Sequence, residues 1–167
     1  MQHSWNHQNY AVPPERLKLV EEAIDLLFAW DKFVAKPHLL GYRLTDDMHE
    51  GAIYFRPSAA ARALEEALDR LRAGDGDLAA ALVACDELDA DYADHSGILV
   101  SGPAEWENLL ARAERLERER PDLQIRVVDV LRPGDGRAPT DFLYQAFLRI
   151  GLLTPPRNTF EIQARKG

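Results

Sequence analysis

Two apolar stretches separated by a helical pattern constrain the fold of this chain more than any other feature. Residues 98–100 form a short run of isoleucine, leucine and valine, and residues 123–131 form a longer one. Both compositions favour strands. After Pro103, apolar residues recur at helical spacing. A strand, a helix and a strand within about 35 residues predict a βαβ unit, in which the two strands lie side by side and run parallel.

The rest of the chain alternates helical and strand patterns. Apolar residues at intervals of three and four predict helices, and alternation of apolar with polar residues predicts strands. Prolines, glycines and capping residues mark the boundaries. The predicted elements are a first helix over 15–34, a strand hairpin of 40–44 and 52–55, helices that begin at Ser58 and Asp77, a helix over 140–150, and an edge strand over 159–163.

These elements predict a single α/β or α+β domain over residues 1–167. We expect a small mixed sheet of about four to five strands that contains one parallel βαβ unit, with about five helices packed on it. Residues 1–12 are expected to include a flexible N-terminal arm, and residues 155–167 a C-terminal extension. The helical pair that begins at Ser58 has no second copy in the chain, which argues against a solenoid.

Charge and composition exclude several functional classes. The chain has 28 acidic and 20 basic residues, for a net charge of -8. This balance argues against binding to nucleic acid, because phosphate contacts need clustered cations. No apolar run approaches the roughly 18 residues of a membrane span, and no secretory signal pattern is seen, so we expect a cytoplasmic protein. Cys85 is the only cysteine, which excludes an internal disulfide, and its apolar helical face predicts that it is buried.

The carboxyl ends of the predicted parallel strands are the best candidate ligand site. Ligands collect at such ends in parallel sheets. Ser101 and Gly102 follow the first strand at a helix N-terminus, where free N–H groups attract anions. Asp129 and Arg132 end the second strand. The four residues are expected to bind a phosphate or carboxylate, with Arg132 neutralising it. In the alternative, Ser101 or Gly102 only caps the helix.

An acidic stretch and two aromatic residues are candidates for contact with a protein. Residues 86–94 contain five acidic side chains and no basic one. Such a patch can steer a basic partner, and aromatic anchors often dominate binding. We therefore expect a protein partner or a homo-oligomer; the alternative is a solvated helix end. The candidate partner-binding residues are Trp5, Tyr10, Asp86, Glu87, Asp89, Asp91 and Asp94.

Two pairs of residues have a spacing suited to metal binding. His3 and His7 are four residues apart, and on a helix two neutral imidazoles at that spacing can bind zinc, nickel or copper. Asp91 and His95 have the same spacing and could share one cation. The alternative is a flexible terminus for the first pair and a solvated loop for the second.

No recognisable catalytic constellation occurs in the sequence, so no catalytic residue and no cofactor is assigned. The leading prediction is a non-catalytic interaction protein, such as an inhibitor, an immunity-type protein or an assembly accessory factor, that uses the acidic surface and the aromatic anchors. Two alternatives stay open. One is a small-molecule or phosphate-binding enzyme or domain that uses the site of Ser101 and Arg132. The other is a metal-dependent protein that uses the N-terminal histidines.

Overall fold

A strand–helix–strand–strand–strand pattern occurs twice in the chain. The computed structural model describes residues 7–45, 51–74, 76–86, 94–138, 140–153 and 158–166. Module 1 consists of β1 (His7–Val12), α1 (Leu17–Phe28), β2 (Asp31–Lys36), β3 (Leu39–Arg43) and β4 (Ala52–Pro57). The helices α2 (Ala59–Arg72) and α3 (Asp77–Asp86) follow. Module 2 consists of β5 (His95–Leu99), α4 (Pro103–Glu119), β6 (Ile125–Leu131), β7 (Leu143–Ile150) and β8 (Thr159–Arg165).

Each module folds its four strands into a mixed sheet of the same order. Sheet 1 has the order β1-β4-β3-β2, and sheet 2 has the order β5-β8-β7-β6. In both sheets the first and last strands are parallel and the other pairs are antiparallel. The first strands are therefore edge strands, and they meet, because the hydroxyls of Tyr10 and Ser96 are hydrogen-bonded at 2.8 Å.

The registers of the two sheets match around their centres. Tyr54 on β4 pairs with Gly41 on β3, and Glu161 on β8 pairs with Phe147 on β7. On the neighbouring first strands, Tyr54 pairs with the residue two positions after His7, and Glu161 pairs with the residue two positions after His95. The structure therefore makes Tyr54 equivalent to Glu161. By the same registers the other equivalent pairs are His7 and His95, Gly41 and Phe147, Tyr42 and Leu148, and Arg43 and Arg149.

The two modules also share a β-bulge at the same place. The register of β2 against β3 shifts at Phe33, and the register of β6 against β7 shifts at Val128. A bulge inserts an extra residue, bends its strand and re-aims a side chain. Phe33 and Val128 are therefore equivalent, and the two sheets curve at corresponding points.

One hydrophobic core joins the modules. Aliphatic stripes of α1 and α4 are buried against the sheets and against each other. The Phe28 ring at the end of α1 lies 5.6 Å from the Phe160 ring on β8. Trp106 on α4 is fully buried, and its indole N–H donates to the carbonyl oxygen of Ile162 at 2.9 Å. The helix α1 packs on one face of sheet 1, and α4 packs on one face of sheet 2. A ligand site can therefore form on the opposite face of either sheet.

The predicted first helix is too long. The helix α1 ends at Phe28 because Ala29 adopts the left-handed conformation, with φ 54°. The chain then reverses into β2. The wide apolar arc of residues 15–34 combines two elements: the buried stripe of α1, and the residues Phe33 and Val34 of the following strand.

The predicted helix over 140–150 is wrong, because residues 143–150 form β7. Residues 145–148 are all buried. Ala146 and Leu148 belong to the main core, and Phe147 packs with Leu131 in a second cluster. A strand buried on both faces loses the alternation that would distinguish it from a helix. The strand β8 lies between β5 and β7, so it is an inner strand and not the predicted edge strand.

The predicted βαβ unit is also wrong. β5 and β6 lie at opposite edges of sheet 2, where the parallel partner of β5 is β8 and the antiparallel partner of β6 is β7. The fold is a mixed α+β domain. Its described residues form two four-stranded sheets and four α-helices, in place of one small sheet and about five helices.

Other expectations are confirmed. β3 and β4 form the predicted antiparallel hairpin, and the two middle helices begin after Ser58 and at Asp77.

Two further expectations are corrected. Residues 7–12, which were expected within a flexible arm, form β1. Cys85 on α3 is exposed, which corrects the prediction that it is buried. No helix in the described ranges is long and apolar enough to cross a membrane.

Candidate functional site

A buried carboxylate stands at the centre of sheet 2, on the face away from α4. Glu161 is 4% exposed. Its Oε1 accepts hydrogen bonds from Gln145 Nε2 at 2.6 Å and from Gln163 Nε2 at 2.7 Å. The Nε2 of His95 lies 3.1 Å from Oε2. Three side chains therefore hold this carboxylate in one position.

The pairing of the strands brings these side chains together. Side chains alternate along β8. Phe160 and Ile162 pack in the core, so Glu161 and Gln163 lie on the opposite face of the sheet. Gln145 lies directly opposite Gln163 on the neighbouring strand. His95 begins β5, on the other side of β8, and its ring lies edge-on to Phe147 with centroids 5.5 Å apart. The site thus draws on β5, β7 and β8.

The electrostatics of the site are unusual for a buried acid. The partners of Glu161 in the part of the chain that the structure describes are two amides and one imidazole, with no lysine or arginine. An ionised carboxylate is costly to bury without a compensating charge. In addition, Gln145 Oε1 is buried and has no hydrogen-bond partner among the described residues. Such an orphaned acceptor marks a candidate binding position.

Two neighbouring cavities lie where β1 and β5 meet. The first, of about 290 Å³, is lined by Gln8, Asp94, His95 and Ser96. Its lining is polar, and His95 connects it to Glu161. The second, of about 310 Å³, shares Gln8 and Ser96 and adds mainly apolar residues; they are Tyr10, Leu44, Ile53, Gly97 and Ile98. A small molecule in the first cavity would contact the histidine that contacts the buried carboxylate.

The predicted anion site loses its premise, because β5 and β6 are not adjacent. The backbone N–H and the hydroxyl of Ser101 both donate to the Glu105 carboxylate. These two hydrogen bonds lower the pKa of Glu105. Gly102 holds the N-cap position of α4 with φ 172°, in extended backbone. Among the described residues no side-chain hydrogen bond caps this helix start, and an anion site at these residues stays a prediction.

The other two residues of that prediction have partners of their own. Arg132 pairs with Glu107 at 3.0 Å, and its guanidinium lies 5.1 Å from the Trp106 ring centroid. Asp129 pairs with Arg137 at 3.2 Å. The described contacts therefore join Ser101, Asp129 and Arg132 to three different partners and not to one another.

The predicted metal ligands are only partly described. His3 and Asp91 lie outside the described residues. His7 contacts Tyr54 and His95 contacts Glu161, on different sheets. Within the described ranges, no group of three or more histidine, cysteine or acidic residues could hold a metal ion. His95 and Glu161 are two donors in contact, which is fewer than the three or four protein ligands of a typical zinc site.

The predicted partner-binding residues are also only partly described. Trp5 and residues 87–93, with Glu87, Asp89 and Asp91, lie outside the described residues, and the Asp86 side chain is likewise not described. Tyr10 is 4% exposed and stacks on Phe55 in the core, so it is not an exposed anchor. Asp94 is exposed and lines the polar cavity. A protein partner or a homo-oligomer stays a prediction.

Sequence reasoning missed Glu161 and its two glutamines. One signal was available, because residues 159–163 alternate Phe and Ile with Thr, Glu and Gln. An edge strand with one wet face explains that pattern equally well. Only the structure shows that this polar face is covered, because Thr159 and Glu161 are both buried.

Comparison with known proteins bears on the fold. No protein-family model matches the sequence, and no curated protein matches it. Solved structures do match. The fold is similar to that of a lactoylglutathione lyase from Agrobacterium tumefaciens. That match has a TM-score of 0.53 at 13% identity and covers 98% of this chain and 94% of that one.

Two further structures share the fold over nearly their whole lengths. An integron cassette protein from the mobile metagenome of the Halifax Harbour sewage outfall has a TM-score of 0.51 at 8% identity, with 98% and 99% of the two chains covered. A protein from Agrobacterium tumefaciens solved by solution NMR has a TM-score of 0.50 at 11% identity, with both chains covered completely. On the likeness to the lyase, the prediction of a non-catalytic interaction protein is wrong, and the small-molecule alternative is better supported.

Proposed function

We propose that this chain is a small-molecule-binding protein whose ligand occupies the polar cavity beside His95 and Glu161. The observation that carries the proposal is the buried carboxylate of Glu161, which three side chains orient and no lysine or arginine among its described partners neutralises. A carboxylate kept buried at such a cost is a common mark of a functional site. The similarity of the fold to a lactoylglutathione lyase supports the same class of ligand.

The chemistry of the site favours a ligand that donates hydrogen bonds. Asp94 is an exposed acceptor in the cavity lining. Glu161 does not line the cavity but contacts His95, which does, so this side of the cavity is acidic and an amine or a polyol fits better than an anion. His95 adds a capacity for proton transfer. An imidazole in contact with a carboxylate can act as a general acid or base toward a bound ligand.

A metal-dependent function has less support from the described residues. The position in module 1 that is equivalent to Glu161 is Tyr54, so the two modules do not supply matching carboxylates. His95 and Glu161 remain a pair without a third described acidic, cysteine or histidine ligand. Two protein ligands bind a divalent ion weakly.

A thermal-unfolding experiment with three matched probes tests the proposal. Ethanolamine, ethylene glycol and glycolate differ in charge at one end and little in size. We expect ethanolamine to raise the Tm of the wild-type chain at millimolar concentration, ethylene glycol to raise it less, and glycolate to leave it unchanged. Glu161→Gln removes the charge with little change of shape, so the ethanolamine shift should disappear.

Glu66→Gln is the matched control, because Glu66 is an exposed carboxylate on α2. That variant should keep the full ethanolamine shift. Equal shifts with all three probes, or an ethanolamine shift that survives Glu161→Gln, would contradict the proposal. A stoichiometric shift with Zn²⁺ or Ni²⁺ that depends on both His95 and Glu161 would favour the metal-dependent function instead.

A further inference from the structure

Three rings form a row on the face of sheet 1 that is turned away from α1. The His7 and Phe33 rings lie edge-on to Tyr54, with centroids 5.6 Å and 5.7 Å from its own and interplanar angles of 79°. Phe33, the bulge residue of β2, is 38% exposed. We call this surface the open face; its residues are His7, Phe33, Arg43, Tyr54 and Arg56.

Gly41 makes this arrangement of rings possible. A Cβ at Gly41 would lie 2.5 Å from Val34 Cγ1 and 3.0 Å from a ring carbon of both Phe33 and Tyr54. The two rings therefore lie directly over the backbone of β3. A side chain at this position would push them apart, so the glycine keeps the aromatic surface continuous.

Two arginines flank the rings. The Arg43 guanidinium lies 5.2 Å from the Phe33 ring centroid, and its ion pair with Asp31 is long, at 3.7 Å. Arg56 is exposed, and its Nε donates to the side-chain oxygen of Asn9 at 3.3 Å. No carboxylate pairs with Arg56 in the ranges that the structure describes. The open face is thus aromatic and cationic, on a chain whose net charge is -8.

We propose that the open face binds a planar aromatic anion, such as an aromatic carboxylate or an aryl phosphate. A planar ring gains from contact with the faces and edges of the exposed aromatic side chains. A guanidinium forms charge-assisted hydrogen bonds with a carboxylate or phosphate. Tyr54 and Arg56 are two residues apart on β4, about 7 Å along the strand, so a ring at Tyr54 brings its anionic substituent within reach of Arg56.

The open face lies on sheet 1, whereas Glu161 lies on sheet 2. The two faces are equivalent in topology, but Arg56 on the open face has no carboxylate partner among the described residues, whereas the carboxylate of Glu161 lies at the centre of the other face. We therefore expect an anion to prefer the open face. The same experiment can therefore distinguish the failure of one proposal from the failure of the other.

Three probes separate the contributions of charge and planarity. They are 1-naphthoate, which is planar and anionic, 1-naphthalenemethanol, which is planar and neutral, and cyclohexanecarboxylate, which is anionic and not planar. Each is titrated into the ¹⁵N-labelled full chain, and its Kd is obtained from amide chemical shifts. We expect 1-naphthoate to bind at least about five-fold more tightly than either of the others and to bind more weakly as salt is raised.

Four variants locate the binding. Arg56→Gln should raise the Kd of 1-naphthoate about five-fold or more, and Tyr54→Leu should raise it by a similar factor. Arg70→Gln changes an exposed arginine on α2, and Glu161→Gln changes the other face; both should leave the Kd within two-fold, roughly the scatter of such substitutions. Far-UV circular dichroism confirms that each variant is folded, which the exposure of Arg56 favours.

The proposal is supported if the shifted amides lie on β1 to β4 and both Arg56→Gln and Tyr54→Leu weaken binding. It is overturned if the neutral alcohol binds as tightly as 1-naphthoate, if Arg56→Gln binds like the wild-type chain, or if the shifts fall elsewhere. An unchanged Kd in Glu161→Gln assigns the anion to the open face. A changed Kd in that variant places it at sheet 2 and overturns the proposal.

Discussion

Modules 1 and 2 have the same strand order, the same register and the same bulge, yet the residues at the centres of their outer faces differ. In module 1 only residues 37 and 38, both exposed, connect β2 to β3. In module 2 residues 132–142 connect β6 to β7. Ala138 from this longer connection packs with Leu131 and Phe147 into a second small core. One face is open, and the other is partly closed over a buried carboxylate.

The comparison separates what determines the fold from what determines the site. Both modules keep apolar residues on the face toward the helices, and that face fixes the order of the strands. The outer face is free to differ, as Gly41 against Phe147 and Tyr54 against Glu161 show. Loop length and a few outward residues therefore convert one topology into two different surfaces.

Replacing Phe147 with alanine is the most severe test of this difference. Phe147 is fully buried, so its truncation leaves a cavity and should cost about 3–5 kcal/mol of unfolding free energy. Phe33→Ala, on the open face, should cost about 1 kcal/mol or less, because that ring is 38% exposed. Urea denaturation of both variants measures the two costs. Equal costs would mean that the two faces are covered alike.

Gly41→Ala tests the crowding over β3. The added methyl would meet Val34, Phe33 and Tyr54, and overpacking of this kind should cost about 1–3 kcal/mol. The control is Gly136→Ala, in the connection of module 2, where an added Cβ meets nothing within 4 Å. That control should change the unfolding free energy by less than about 0.5 kcal/mol. A neutral Gly41→Ala would show that the rings do not rest on the backbone.

Tyr42→Phe tests a polar contact that module 2 lacks, since the equivalent residue is Leu148. The Tyr42 hydroxyl donates to Asp25 Oδ1 at 2.9 Å, and its loss should cost about 1 kcal/mol at neutral pH. Burial, together with this hydrogen bond, raises the pKa of Tyr42. The folded state therefore holds the phenolic proton more tightly than the unfolded state.

That stabilisation is fully present below the unfolded-state pKa and is lost as pH rises above about 10. The stability of the wild-type chain should therefore fall between pH 10 and 11.5 more steeply than that of Tyr42→Phe. Urea midpoints across this range measure both slopes. Parallel slopes would contradict the burial of the hydroxyl.

The smallest expected effect compares the starts of the two long helices. The first turn of α1 has no acidic residue, whereas Glu105 in the first turn of α4 accepts two hydrogen bonds from Ser101. Glu105→Gln should cost about 0.5 kcal/mol at pH 7, because the residue is exposed. The pKa of Glu105 is lowered in the folded state, so this contribution is present above the unfolded-state pKa and disappears as pH falls below it.

Urea unfolding at pH 7 and pH 3 measures this loss, and Glu114→Gln on the exposed side of α4 is the control. The difference in unfolding free energy between the wild-type chain and Glu105→Gln should be smaller at pH 3 than at pH 7. An equal difference at the two pH values would show that the carboxylate charge is not the source of the effect.

The sequence predicted the elements whose patterns are locally unambiguous. The helix α4 and the strand β6 have clean helical or β-branched patterns, and the β3–β4 hairpin has a polar turn between alternating strands. β7 could not be distinguished from a helix, because residues 145–148 are buried on both sides. The repeat of the two modules was hidden because most of the equivalent positions identified by the registers differ in residue type, as Tyr54 and Glu161 illustrate.

The residues of the candidate site were harder to predict from the sequence than the strands and helices. Its residues come from β5, β7 and β8, which are separated by most of module 2 in the chain. Their convergence depends on the pairing of the first strand with the last one, which no local pattern encodes. The histidine at position 95 was singled out as a metal ligand with Asp91, and the structure instead gives it Glu161 as a partner.

The most direct test of the central claim, that two equivalent faces have opposite ligand preferences, is amide chemical-shift mapping of one ¹⁵N-labelled sample with ethanolamine and then with 1-naphthoate. We expect ethanolamine to shift amides of residues 94–97 and 159–163, and 1-naphthoate to shift amides of β1 to β4. Shifts by both probes at the same residues, or by ethanolamine on sheet 1, would contradict the account.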